Sequence, residues 1–221
     1  MQAPVRLVLF DLDGTLIDSA PDLAGAANEL RASHGLGPLP YAELRPMVGS
    51  GARGMVRQAF DIGPGEARYE ALRVSFLDAY EARMLRLTRI FDEMQPVLLA
   101  LEARGMRWGV VTNKAQRFAA PITQALGIAQ RAAVVIAGDS TPYTKPHPEP
   151  LHEAARRAGC ASADAVYVGD DPRDIQAGRA AGMRTAAAAW GYLGLGEPVE
   201  AWGADIVLPQ PARLLNWLQL A

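Results

Sequence analysis

Two carboxylates one residue apart, Asp11 and Asp13, close an apolar run in "VLFDLDGTLIDS" and are followed at once by Gly14 and Thr15. Two negative charges that close repel, and taking either out of water is costly unless a cation compensates. Three later segments offer further reactive groups. "VVTN" ends in Thr112 and Asn113, "TKPHPEP" carries Lys145, and "VGDDPRD" carries Asp170 and Asp171, with Asp174 one helical turn on. Carboxylate oxygens gathered with one lysine make a hard-cation site of the kind Mg²⁺ prefers, and a substrate phosphate often completes such a site. Gly14 permits a sharp turn that exposes backbone N–H groups, while Thr15, Thr112 and Lys145 are donors for phosphate oxygens. Each piece also has a plain structural use: "TN" as a turn, "TKPHPEP" as a rigid loop, "GDDPRD" as a helix start with capping acids.

These groups can meet only if the chain brings them to one edge. Short apolar runs in "VRLVLFD", "RWGVVTN", "AAVVIAGD", "DAVYVGD" and "MRTAAAA" alternate with helical patterns. That alternation predicts an α/β fold, a Rossmann-like parallel sheet with helices on both faces. In open sheets of this class ligands bind beyond the carboxyl ends of the strands, which is where all these groups fall. Helix signals agree. "SAPDLAGAANELRASHG" offers Ser19 as an N-cap, Pro21 in the first turn and Gly35 as a stop, and "PEPLHEAARRAG" and "PRDIQAGRAAG" repeat proline at the start and glycine at the end.

The spacing breaks once. After the first strand roughly 70 residues pass before the next helix–strand unit, far more than a crossover needs. The intervening "ARGMVRQAF" and "EARYEALRVSFLDAYEARML" are helical patterns. Residues 17–88 are therefore expected to form a small helical domain over the end of the first strand, with residues 1–16 and 89–221 as the catalytic core.

Composition narrows the function classes. With 22 basic and 24 acidic residues the formal net charge is −2, so no global field advertises nucleic acid or an anionic membrane. No run approaches the ~18 apolar residues of a membrane span, and the single Cys160 excludes an intrachain disulfide and any multi-cysteine zinc site. A soluble, cytoplasmic protein is expected, a monomer or homodimer. His34, His147 and His152 receive no catalytic role. Trp108, Trp190, Trp202 and Trp217 are read as packing residues, with "WGYLG" as a segment that could line the site.

Taken together and in this order, the motifs "DLDGT", "VVTN", Lys145 in "TKPHPEP" and "VGDDPRD" resemble those of the haloacid dehalogenase-like hydrolase superfamily, and the helical insertion sits where that family carries its cap. The resemblance implies a phosphatase acting on a small-molecule phosphate ester. Asp11 would attack phosphorus to form an aspartyl-phosphate, and Asp13 would act as general acid and then base. Mg²⁺ would be held by Asp11, the backbone carbonyl of Asp13 and Asp170, with Asp171 and Asp174 as outer ligands or orienters of Lys145. A dehalogenase would lack the second aspartate and need no metal, and β-phosphoglucomutase-like members generally carry valine where Thr15 stands. A non-catalytic module is disfavoured because clustered acids cost stability unless used. In the insertion, "VGSGARGMV" places Ser50 and Gly51 at a helix start and offers the Arg53 guanidinium to a substrate carboxylate. Longer stretches, among them "VTNKAQRFAAPI" and "WGADIVL", resemble phosphoglycolate phosphatases and N-acetylmuramic acid 6-phosphate phosphatases, whose substrates both bear a carboxylate.

Overall fold

A strand covered on both faces can use apolar residues at every position, and the first strand, Leu7–Phe10, does so. The computed structural model describes residues 5–220. In chain order its strands are β1 (Leu7–Phe10), β2 (Ile17–Asp18), β3 (Arg89–Ile90), β4 (Arg107–Val111), β5 (Val135–Ile136), β6 (Ala165–Gly169), β7 (Arg184–Ala188) and β8 (Ile206–Leu208). Six of them form one sheet in the order β5-β4-β1-β6-β7-β8, and every pairing in it is parallel. All five expected strands are present. β8 is the addition, a three-residue edge strand inside the quoted "WGADIVL" whose first two residues are only half-buried.

The helices are α1 (Ala20–Ser33), α2 (Tyr41–Leu44), α3 (Gly51–Phe60), α4 (Tyr69–Glu81), α5 (Met94–Ala103), α6 (Gln116–Ala125), α7 (Ile128–Arg131), α8 (Glu149–Arg157), α9 (Pro172–Ala180) and α10 (Arg213–Trp217). Successive residues of a strand point to opposite faces, and β1 shows the consequence. Val8 and Phe10 share a core with Leu98 of α5, Ile122 of α6 and Leu214 of α10, while Leu7 and Leu9 pack with Leu151 of α8 and Ala177 of α9. Strand β1 is central, flanked by β4 and β6 in register, so Phe10 lies beside Val110 and Val168. Asp11 follows immediately, and its N–H extends the ladder to the Val168 carbonyl at 2.8 Å.

Between β2 and β3 the chain is helical, with α1 packed on both α3 and α4. β2 and β3 pair antiparallel, Ile17 beside Ile90 and Asp18 beside Arg89, so the chain leaves and re-enters the sheet layer through one two-stranded neck. A buried acid reinforces that neck. Asp22 on α1 is fully buried, and its Oδ2 accepts from the Leu87 N–H, the Thr88 N–H and Thr88 Oγ1, each at 2.9 Å. Ser19 stands at the N-cap position of α1 as the sequence suggests, but its side chain makes no capping bond. Its hydroxyl donates to Asp13 instead, and the N–H groups of Ser19 and Ala20 donate to Tyr192 Oη at 2.9 and 3.0 Å.

Removing the Asp22 acceptor strands the buried N–H and hydroxyl of Thr88 and the part-buried N–H of Leu87 in the returning segment. Asp22→Ala should lower unfolding stability by about 2–4 kcal/mol in urea denaturation, beyond the usual cost of a surface change.

Candidate active site

Lysine in an apolar interior needs anionic partners, and Lys145 has them. Its Nζ lies 2.7 Å from Asp11 Oδ1 and 2.7 Å from Asp174 Oδ1, and it donates to the Val111 carbonyl at 3.0 Å and to Tyr167 Oη at 2.7 Å. Tyr167 Oη in turn donates to the Val111 carbonyl. Asn113 aims the lysine from the backbone side: its Nδ2 donates to the Lys145 carbonyl and its Oδ1 accepts the Lys145 N–H, both at 2.9 Å. The loop that carries Lys145 is thus fastened to the end of β4. Burial works against the ammonium, but Asp11 and Asp174 outweigh it and raise its pKa. Burial pushes the Asp11 carboxyl up to about 7, with Lys145 opposing and Asp174 and Asp13 adding to the rise.

Ligand oxygens of Asp11, Asp170 and Asp174 all lie within 4.8 Å of one another. Burial first, then the charges of Asp11 and Asp174, raise Asp170 well above the ordinary carboxylate range. Lys145 brings one positive charge to these three acids, and the all-oxygen donor set suits Mg²⁺ rather than zinc or copper. Asp170 is held from behind, since its Oδ1 accepts from Thr15 Oγ1 and its Oδ2 from the Tyr192 N–H, both at 2.8 Å. Gly14 makes that approach possible. Its φ is +84°, and a Cβ there would fall 2.2 Å from Asp170 Oδ2.

Several expected roles change. Thr15 is fully buried and bonded to Asp170, and the Gly14 N–H donates to the Ile17 carbonyl, so both build the turn and neither faces the cavity. Asp171 is no part of the acid cluster. It caps α9 and pairs with Arg173 at 2.7 Å, which overcomes burial and lowers its pKa. Asp174, the other uncertain residue, joins the cluster and completes the capping box through the Asp171 N–H. The Asp13 carboxylate is likewise outside the cluster, on the Lys114 side of the site.

Above these groups lies a cavity of about 550 Å³, walled by the strand ends and by α1, α3, α4 and α6. Asp11, Asp13, Thr112, Asn113, Lys145, Asp170 and, from the helical segment, Ser50 and Gly51 line it as expected. Arg53 does not. It is exposed and lines an adjoining depression with Met47 and Arg57, which meets the cavity at Ser50, Asp171 and Arg173. The arginines that do reach the cavity are Arg73 on α4, Arg117 on α6 and Arg173 on α9, the last held by Asp171 and the Gly49 carbonyl, and Leu23, Phe76, Leu77 and Phe118 stand beside them. The sequence alone does not single out these three arginines, nor Lys114, Tyr80 and Tyr167, and it marks Tyr192 only as part of "WGYLG". Only Lys114 carried a usable signal, as the residue directly after Asn113 at a strand end. The histidines sit elsewhere: His34 against Phe60, His147 stacked on Tyr143, His152 on Ser162. "WGYLG" braces the site from behind and does not line it.

Residues 8–188 match the family model described as haloacid dehalogenase-like hydrolase. The chain is 42% identical over 217 residues to an N-acetylmuramic acid 6-phosphate phosphatase of Pseudomonas aeruginosa, covering 98% of this chain and 96% of that protein. It is 48% identical over 210 residues to a phosphoglycolate phosphatase of Xanthomonas campestris pv. campestris, covering 95% and 94%. The crystal structure of a predicted phosphoglycolate phosphatase from Haemophilus somnus superposes with a TM-score of 0.84 at 28% identity, covering 98% of this chain and 99% of that one. The chain therefore belongs to the haloacid dehalogenase-like hydrolase family.

Because the folded protein holds the Asp11 proton more tightly than the unfolded chain does, that group's contribution to stability falls as pH rises from 3.8 to about 7. In EDTA the thermal midpoint should decline between about pH 4 and 7, and Asp11→Asn should flatten that decline. Millimolar Mg²⁺ at the alkaline end should raise the wild-type midpoint by a few degrees in calorimetry.

Proposed function

As a member of the haloacid dehalogenase-like hydrolase family, this chain is, we propose, a Mg²⁺-dependent phosphomonoesterase that works through an aspartyl-phosphate on Asp11. One observation carries the reading. Asp11 stands at the end of the central strand, paired with Lys145 at 2.7 Å and within the acid cluster, with Asp13 facing the same cavity two residues on.

Phosphoryl transfer spreads charge over the phosphate oxygens, so positioning and electrostatics do most of the catalysis. An Asp11 carboxylate oxygen attacks phosphorus as the ester P–O bond breaks, and Asp13 gives its proton to the leaving oxygen. Water then attacks phosphorus, loses its proton to Asp13, and the bond to Asp11 breaks to release phosphate. Lys145 offsets the charge of Asp11 and the phosphate throughout. Held by Asp11, Asp170 and Asp174, Mg²⁺ would supply the charge neutralisation that lets an anionic phosphate approach a carboxylate. The helical segment, residues 17–88, acts in this reading as the cap that excludes water and selects the leaving group.

The substrate is a small phosphate ester bearing a carboxylate, phosphoglycolate being the first candidate because the Xanthomonas relative carries that name. Arg73 and Arg117 are the carboxylate partners within reach of the cavity, since Arg173, which also lines it, is tied to Asp171 and the Gly49 carbonyl. A second reading, N-acetylmuramic acid 6-phosphate, is favoured by the volume of about 550 Å³ and by the wall of Leu23, Phe76, Leu77 and Phe118, apolar surface that a two-carbon acid would leave unused. No helix among the described residues is long and apolar enough to cross a membrane, which is compatible with a cytoplasmic substrate.

Asp11→Asn should reduce turnover of p-nitrophenyl phosphate by roughly three orders of magnitude with an unchanged circular dichroism spectrum. EDTA should stop the wild type and Mg²⁺ restart it; activity that survives chelation would defeat the metal assignment. Arg73→Ala should raise KM about tenfold for the carboxylated esters and barely for p-nitrophenyl phosphate, whereas Arg53→Ala should leave both within about twofold. The ratio of kcat/KM for the two named esters decides between them.

A further inference from the structure

Only two of the 22 lysine and arginine residues are lysines, Lys114 and Lys145, and the other twenty are arginines. Both lysines are found in the active-site cavity, each on a different aspartate of the "DLD" pair. Lys145 on Asp11 is accounted for by the reaction. Lys114 on Asp13 is not.

The geometry around Lys114 is specific. Its Nζ donates to Asp13 Oδ1 at 2.9 Å and to Oδ2 at 3.0 Å, and Ser19 donates to the same Oδ1. The side chain is 9% exposed, and its ammonium lies 4.8 Å from the centre of the Tyr80 ring on α4. Its backbone N–H donates to Thr112 Oγ1 at 3.1 Å, which turns the residue back over the end of β4. A surface ion pair between flexible side chains would contribute little, but this one is enclosed on three sides, by Asp13, Ser19 and an aromatic face from the helical layer. Residue choice also matters. Arginine, used everywhere else, would lock a carboxylate in a planar two-point fork, whereas an ammonium is a compact charge on a flexible stem that can follow the carboxylate as it moves.

We infer that Lys114 is a positioning residue for Asp13: together with Ser19 and backed by the Tyr80 ring, it holds the Asp13 carboxyl group at the place in the cavity where the leaving oxygen departs. The inference rests on the phosphomonoesterase reading. It adds that the helical layer takes part in the chemistry through Tyr80, by fixing the residue that aims the proton donor. Lys114 touches neither phosphorus nor the attacking oxygen in this role, so its effect must appear only where proton delivery to the leaving group limits the rate.

The test compares leaving groups on one protein preparation. For β-glycerophosphate, an alkyl ester without a carboxylate, the departing alkoxide needs a proton; for p-nitrophenyl phosphate the departing phenolate does not. Because kcat/KM covers only steps up to formation of the aspartyl-phosphate, breakdown of that intermediate does not enter the comparison. Lys114→Met should lower kcat/KM for β-glycerophosphate by about 50-fold or more and for p-nitrophenyl phosphate by less than about threefold. Tyr80→Leu should move the ratio the same way by a smaller factor. Equal losses on both esters would overturn the inference, since a phosphate ligand or a structural ion pair affects both alike. A thermal midpoint within a few degrees of wild type qualifies each variant, and Lys114→Gln replaces Lys114→Met if the latter does not fold. Wild type that hydrolyses neither ester would instead refute the underlying phosphomonoesterase reading and take this inference with it.

Discussion

Mutual repulsion among Asp11, Asp170 and Asp174, gathered at the ends of two adjacent strands, is the constraint that organises the molecule. Carboxylates that close in a buried setting must be neutralised, hydrogen-bonded or held apart. The chain does all three. Lys145 stands between Asp11 and Asp174, Thr15 and the Tyr192 N–H satisfy Asp170, and glycines at 14 and 191 leave room where any Cβ would collide with Asp170. Features that look unrelated along the sequence, a turn after β1, a loop after β7 and an asparagine after β4, serve one electrostatic purpose.

The same loop after β7 links that chemistry to the helical layer. Trp190 Nε1 donates to the Thr15 carbonyl at 3.0 Å, Tyr192 Oη donates to Asp18 Oδ1 at 3.1 Å while accepting from Ser19 and Ala20, and Arg45 of the helical layer donates to the Gly191 carbonyl at 3.0 Å. Three consecutive residues therefore join the neck, the first aspartate loop and the acid cluster. Any movement of the helices relative to the sheet has to pass through the paired strands β2 and β3, and on the outgoing side Tyr192 grips the backbone at Ser19 and Ala20.

Legibility in the sequence followed the range of the interactions. Alternating apolar runs and helical stops announce the parallel sheet because those signals are local, and Asp11, Asp13 and Asp170 can be named because they fall at strand ends, whereas Lys145, in the loop beyond β5, is named from its motif. Thr15 and Gly14 were assigned to phosphate on local chemistry alone, but their partners lie at Asp170 and Ile17, and only the first of these is distant in sequence. Arg53 fails for a geometric reason: a helix start can present its backbone to a cavity while the side chain two residues on points elsewhere. Tyr167 carries no sequence signal, since a tyrosine in an apolar run reads as packing, and "WGYLG" hints at Tyr192 without its role, because their hydroxyl partners lie 56 and 173 residues away.

Strand β1 sits between partners that begin 100 and 158 residues further along, and its loop is closed by a tyrosine later still. Contacts of such long sequence separation form late, because the loops they close must first lose their freedom. During synthesis the "DLD" acids precede Tyr192, the last of these partners, by some 180 residues and stay in water until it emerges. Charge that has to be tamed in the finished site thus serves the nascent chain differently: it keeps the end of the most central strand soluble until its neighbours arrive.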